Sequence, residues 1–174
     1  MSSDTPRHTA APAPAWKVGL GHDTHRLVAG GPLTLGGLQI EHTHRADGHS
    51  DADVLLHAMT DALLGAAGLG DIGQLFPNTD EINRDRDSGE MLQLAYQQVQ
   101  QAGYEIANLD SIVFAEEPPI GPHREAISRR VGELLGVPAE CISVKAKTGE
   151  GVGPVGTREV IAAQCVALLQ RQQE

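Results

Sequence analysis

The chain has 174 residues, 40% hydrophobic and 21% charged, which suits one globular domain with its own core and excludes a collagen-like or largely disordered polypeptide. Its 13 Lys and Arg against 23 Asp and Glu give a formal net charge of -10, and aromatics make up only 3%. A broad cationic surface for duplex nucleic acid and a stacking platform for single strands are both disfavoured, so any bound phosphate must be met locally by a metal ion or by backbone amides.

Residues 1–15, MSSDTPRHTAAPAPA, alternate Ala with Pro and hold no long apolar run, so they are expected to form a flexible tail rather than a signal peptide, with one folded domain over 16–172. No stretch reaches the roughly 18 apolar residues of a membrane span, and a soluble, cytoplasmic protein is expected. Residues 17–21 are apolar and 33–41 alternate around Gly36-Gly37, so both read as strands, with a histidine-bearing loop between them. Ser50-Asp51 offers an N-cap for a helix over 52–67 that Gly68 ends. The stretch GLGDIGQLFPNTD, 68–80, reads as a long ordered loop. Asp87 with Glu90 three residues on makes a capping box for a second helix ending at Gly103. A strand over 109–115, a proline-rich turn EEPPIGPH and a helix over 125–135 closed by Gly136 follow; a strand over 142–147 and a last helix over 159–169 complete the chain. Cys141 and Cys165 lack metal-ligand spacing and read as reduced, buried core thiols. The sum is a single-domain α/β sandwich with helices on one face of a mixed sheet.

Six of the eight histidines, His22, His25, His42, His44, His49 and His57, fall close together. Asp23 and His25 sit two apart, so in extended backbone they point to one side, as two metal ligands need to; a turn aspartate beside a surface histidine has the same spacing. On the helix over 52–67, Asp53, His57, Thr60 and Asp61 form one polar stripe on an apolar cylinder. A carboxylate one turn to each side of His57 suits an imidazole whose second nitrogen is held while the first binds a metal; a solvated stripe of ordinary i,i+4 pairs is the competing account. Asp23, His25 and His57 would make an N/N/O set with one coordination position open, the pattern of catalytic zinc, although spacing leaves His22, His42, His44 and His49 open as ligands.

Two glycine motifs have the G-x-G-x-x-G form. The one from Gly68 to Gly73 follows a helix, the wrong context for a dinucleotide site. The one from Gly151 to Gly156 follows a strand, but the chain ends after the expected last helix, leaving no second parallel strand and no acidic ribose ligand. What remains is Lys145-Ala146-Lys147-Thr148 running into a glycine loop, a place for a hydroxyl and amides to meet a phosphate, with Glu150 either a surface residue or a ligand of an accompanying cation.

Taken in order, these segments resemble the 2-C-methyl-D-erythritol 2,4-cyclodiphosphate synthase family from about residue 17 to 169. GHDTHRL is similar to the family's opening Asp-x-His motif, and HSDADVLLHAMTDALLGAAGLGDIGQLFPNTD to its longest signature. The resemblance implies zinc on Asp23, His25 and His57, one ion per subunit, and transition-state stabilisation by His49 and Thr148. It implies substrate contacts from Thr24, His49 and Ser50, from Asp71, Ile72 and Gly73, and from Phe76, Pro77, Asn78, Thr79 and Asp80. The cytidine loop would be Ala115, Glu116, Glu117, Pro118, Pro119, Ile120 and Gly121, with Lys147, Thr148 and Gly149 beside it and Glu150 holding a magnesium or manganese ion. It further implies a homotrimer with active sites between subunits, no nucleic-acid or membrane partner, and a lyase of non-mevalonate isoprenoid biosynthesis that forms the cyclic diphosphate and CMP.

Three positions depart from the family pattern. Pro119 stands where a lysine is usual in the cytidine loop, and Pro154 and Thr157 stand where an aromatic and an arginine are frequent, with Arg158 one place later. Weak or absent binding of an isoprenoid diphosphate in the central cavity of the trimer is expected from the last two. A zinc hydrolase of phosphate esters and a trimeric binding protein without turnover would use the same metal position.

Overall fold

A computed structural model describes residues 14–77 and 79–173. In chain order the elements are β1 (Trp16–Ala29), β2 (Leu33–Leu35), β3 (Leu38–Ile40), β4 (His44–Asp47), α1 (Val54–Ala67), α2 (Ile72–Leu75), α3 (Ser88–Gln101), β5 (Tyr104–Phe114), α4 (Arg124–Leu135), β6 (Ile142–Lys147), α5 (Gly153–Gly156) and β7 (Val160–Arg171). Five strands form one sheet in the order β4-β1-β7-β5-β6, in which only β5 and β6 run parallel, joined by a crossover through α4. Helix α1 lies across β1 and β7, α3 against α1 and β5, and α4 against β6, so the helices cover one face. The expected mixed α/β domain is what the chain forms. Most of the tail expected over 1–15 lies outside the described residues.

Helix α1 forms from a run of Ala, Leu and Met, strong helix formers, and is apolar nearly all round because it is enclosed by the sheet and α3. Its N-cap is Asp53, whose side chain accepts the amides of Leu55 and Leu56 at 3.2 and 3.1 Å, rather than Ser50-Asp51, so the helix begins at Val54 instead of residue 52. Gly68 closes it in the left-handed conformation, φ 79°. Along β1, Gly19, Gly21, Asp23 and His25 face the helices while the residues between them face away. A Cβ on Gly19 would lie 2.0 Å from the Ala62 carbonyl oxygen, and one on Gly21 1.9 Å from that of Ala58, so strand and helix meet backbone to backbone.

Several elements differ from the sequence expectation. The helix expected over 159–169 is the strand β7. Ile161, Ala163, Cys165, Ala167 and Leu169 are buried at every second position, and β7 pairs with β1 on one side and β5 on the other. Its Ala and Leu favour a helix locally, but a central slot with ladder partners on both sides overrides that propensity. The strand expected over 17–21 continues to Ala29, which places His22, Asp23 and His25 on a strand instead of in a loop. The strand expected over 33–41 is a small hairpin, with Gly36 and Gly37 at φ 62° and 72° forming its two-residue turn. The loop over 68–80 contains α2, capped by Asp71. Asp87 caps α3 through the Glu90 amide at 2.9 Å, while the Glu90 carboxylate pairs with Arg86. Cys165 is buried as expected, whereas Cys141 is only half-buried. No dinucleotide fold is built on the second glycine motif: α5 is a single turn, followed by an antiparallel strand. No helix among the described residues is long and apolar enough to cross a membrane.

Candidate active site

Where β1 passes the first turn of α1, three side chains converge. Asp23 Oδ2 lies 2.9 Å from His57 Nδ1 and 3.0 Å from His25 Nε2, and the two imidazole nitrogens are 3.1 Å apart. Asp23 and His25 are brought together by the two-residue repeat of the strand, and His57 by the packing of α1 on β1. Among the described residues this is the group whose geometry could hold a metal ion, which leaves His22, His42, His44 and His49 out of the ligand set. The His22 ring contacts Thr24 Oγ1 on the opposite side of the strand, and the His42 and His44 rings lie 5.6 Å apart near β4.

The donor set fits a tetrahedral zinc ion. Bonds of about 2.0–2.1 Å set such ligands about 3.3 Å apart, close to the separations here, and one position stays open. His25 Nδ1 lies 3.1 Å from the Asp47 carbonyl oxygen, which can only accept, so this nitrogen donates and Nε2 is left toward the cluster. Burial works to raise the Asp23 carboxyl, but hydrogen bonds and charge from His25 and His57 outweigh it and hold Asp23 well below the usual carboxylate range. Burial depresses His25, and the Asp23 carboxylate more than reverses this, so His25 is raised.

The polar stripe expected on α1 divides differently. Asp53 does not flank His57: it is fully buried, caps the helix and accepts the Gly37 amide at 2.7 Å, tying the β2–β3 turn to α1. Burial pushes its carboxyl up, against the opposing pull of those amides. Thr60 donates to the Leu56 carbonyl at 2.8 Å, and Asp61 accepts the Ile72 amide at 2.8 Å, anchoring α2. The carboxylate that meets His57 is Asp23, 34 residues away in the chain, and no i,i+4 rule reaches it.

A cavity of about 180 Å³ opens on the cluster. Of the expected residues it brings together Asp23, His25, His49, Ser50, His57, Ile72, Gly73 and Phe76, and it adds Asn83 and Met91. Asp71 is not among the lining residues but caps α2, and Pro77 and Asp80 line a neighbouring groove with Phe76. Asn78 lies outside the described residues. The Thr24 side chain is on the other face of β1, so only its backbone accompanies Asp23. Ser88, buried beside His57, was not expected; a serine following a capping aspartate carries no distinguishing sequence signal. A larger cleft of about 750 Å³ between α4 and β6 is lined by Arg124, Arg129, Glu125 and Glu140.

The remaining expected residues form a second cluster at the ends of β5 and β6. The Ala115 amide donates to the Lys147 carbonyl at 3.0 Å, the Gly149 amide to Glu116 Oε2 at 3.0 Å, and Arg158 reaches Glu117 at 3.1 Å. The 115–121 segment and the glycine loop therefore stand side by side, with Lys147, Thr148 and Glu150 exposed and Glu150 at φ 52°. This cluster lies at the same end of the sheet as Asp23, but β6 is separated from β1 by β7 and β5. β5 and β6 stand two and three strand spacings from β1, about 10 and 14 Å, so the two clusters are set apart across the sheet.

The sequence matches the model of the YgbB family over residues 16–170. A protein from Bordetella petrii named 2-C-methyl-D-erythritol 2,4-cyclodiphosphate synthase is 53% identical over 156 residues, spanning 90% of this chain and 96% of its own. The solved structure of the bifunctional IspDF from Campylobacter jejuni is similar with a TM-score of 0.89 at 38% identity, over 93% of this chain and 44% of that one. A CDP complex of IspF from Plasmodium falciparum is similar with a TM-score of 0.82 at 32% identity, over 93% of this chain and all of that one.

Proposed function

This chain belongs to the YgbB family, and we propose that it closes 4-diphosphocytidyl-2-C-methyl-D-erythritol 2-phosphate into 2-C-methyl-D-erythritol 2,4-cyclodiphosphate, releasing CMP. That is a phosphorus–oxygen lyase reaction of non-mevalonate isoprenoid biosynthesis. The observation that carries it is the convergence of Asp23, His25 and His57 on one point in a cavity shared with His49 and Ser50. The CDP complex of the Plasmodium falciparum relative supports a cytidine nucleotide as the bound moiety.

The attacking 2-phosphate oxygen is already anionic, so no strong general base is needed. The reaction requires two mutually repelling phosphates to be held in line and charge on the leaving CMP to be neutralised. Asp23, His25 and His57 would hold a zinc ion, which would supply Lewis acidity to the diphosphate, and Glu150 would hold magnesium or manganese, which would supply further positive charge. His49 and Ser50 orient the terminal phosphate from the cavity wall, and Ile72, Gly73 and Phe76 close its other side. Thr148 presents its hydroxyl beside the Gly149 amide, and the segment from Ala115 to Gly121 offers backbone groups to the base. Pro119 lacks the cation a lysine would bring, and the positive charges at that loop are the Arg158 guanidinium held by Glu117 and Arg124, whose Nε donates to the Gly121 carbonyl at 3.2 Å.

The separation of the two clusters supports a homotrimer in which the metal cluster of one subunit faces the Thr148 cluster of its neighbour. The sheet face away from the helices supports it as well: Trp16, Val18, Leu20 and Val166 are 55, 68, 67 and 43% exposed there, an apolar patch suited to burial between subunits. With Pro154 and Thr157 near the glycine loop, copurification of an isoprenoid diphosphate is not expected; mass spectrometry of the native protein checks this.

Phosphorus NMR of the purified protein with this substrate, zinc and magnesium tests the activity. Cyclic diphosphate with equimolar CMP is expected. Inorganic phosphate in place of CMP would make the protein a hydrolase, and no turnover with zinc bound and the trimer intact would make it a binding protein.

A further inference from the structure

We infer that Ser88, braced by Asp51, holds the His57 ring through its Nε2–H and so points His57 Nδ1 at the metal position. The inference rests on the metal-centre reading above and assigns roles to two residues outside the ligand set.

Ser88 is fully buried at the start of α3, and its hydroxyl oxygen lies 2.8 Å from His57 Nε2. Behind it, Asp51 Oδ1 accepts the Ser88 hydroxyl, and Asp51 Oδ2 accepts the Ser88 amide at 3.3 Å. Asp51 Oδ1 also accepts the Asp53 amide at 3.3 Å. A carboxylate that receives amides on both oxygens is an acceptor, so the Ser88 O–H points at Asp51 and its lone pairs face His57. Nε2 then donates, which leaves Nδ1 as the nitrogen for a metal; until one binds, Nδ1 donates to the acceptor-only Asp23 carboxylate. Nδ1 is the atom 2.9 Å from Asp23 Oδ2 and 3.1 Å from His25 Nε2.

Ser50 does not set this direction, although its Oγ is 3.0 Å from the same nitrogen. It accepts the Ala52 amide at 3.1 Å and meets Ser88 Oγ at 3.4 Å, so its own proton has no fixed acceptor. Both imidazoles of the centre are thus held from behind: His25 by the Asp47 carbonyl, His57 by a relay of two side chains that ties the segment before α1 to α3. Ser88 and Asp51 are positioning residues; they hold a ligand and do not touch substrate.

The test combines zinc titration against a competing chelator with two-bond proton–nitrogen NMR of the histidine rings in the zinc-loaded and metal-free protein. In the wild type His57 Nε2 is expected to carry a protected proton in both forms. Ser88→Ala is expected to lose that protected proton and weaken zinc binding about 10- to 100-fold, the usual range for loss of a group that orients a ligand. Ser88→Thr, which keeps a hydroxyl, should restore both readouts, and Ser50→Ala should leave both near wild type. A folded Ser88→Ala protein with an unchanged Nε2 proton and zinc affinity overturns the inference. If the wild type takes up no zinc, the metal-centre reading falls and the metal-free spectra decide alone: the absence of a protected Nε2 proton on wild-type His57 overturns the relay, and one that Ser88→Ala abolishes upholds it.

Discussion

At the β1–α1 junction three ligand atoms stand within 3.1 Å of one another, backed by Asp47 and Ser88, whereas at the ends of β5 and β6 Thr148 and Glu150 are exposed beside a few backbone contacts. The first cluster is finished within the chain because a strand and a helix in direct contact define it. The second is a pair of adjoining loops, with Thr148 and Glu150 exposed to solvent, and the proposed function makes it one half of a site. Under the proposed function, the contrast makes ion binding a property of the subunit and turnover a property of the assembly.

The sharpest break in that comparison is His57→Ala. It should abolish zinc uptake and activity together while the trimer persists; full zinc occupancy in the variant, measured by elemental analysis, would remove His57 from the ligand set. Thr148→Ala should keep zinc and lose about 10²–10³ in kcat, as for loss of one transition-state donor. Mixing the two inactive variants under subunit exchange then asks whether the clusters meet across an interface. Random trimers should recover about a quarter of the sites, since each site needs the metal cluster of one variant and the loop of the other. No recovery with exchange confirmed by native mass spectrometry would place both clusters of each site on one chain.

The metal cluster was legible in the sequence because two of its ligands share a strand, and strand alternation is a local rule. His57 stood out as a histidine on an otherwise apolar helix, but its partner was misjudged: Asp53 and Asp61 are its neighbours by helical count, and both turn away to hold backbone amides. Sheet order decides what His57 meets, and sequence spacing does not contain it. The same limit explains β7, whose Ala and Leu content carries a helical preference that only two flanking strands overrule. Resemblance to the family supplied the 115–121 loop and the roles of Thr148 and Glu150, which spacing alone marked only as a hydroxyl at a phosphate-friendly glycine loop and as either a surface residue or a cation ligand.

A smaller effect sharpens the account of the finished cluster. Asp53→Ala removes an N-cap and leaves the Gly37 amide without its acceptor, so a loss of about 2–4 kcal/mol is expected in urea unfolding, with zinc affinity falling as the start of α1 frays. A loss under about 0.5 kcal/mol would mean that the β2–β3 turn does not need this tie. Smallest of all, burial pushes the Cys165 thiol up to about 11, so native protein near neutral pH should be alkylated at half-buried Cys141 well before Cys165.

The bare backbone of Gly19 and Gly21 makes α1 a gauge block for the site. With the carbonyls of Ala58 and Ala62 resting on the strand itself, the height of the helix above the sheet is fixed by peptide groups, which do not change rotamer. A methyl group at either glycine would act as a shim, lifting one end of the helix and swinging His57 away from Asp23 at the other. Tolerance for substitution along this strand should therefore be lowest where no chemistry happens, two to four residues upstream of the first ligand.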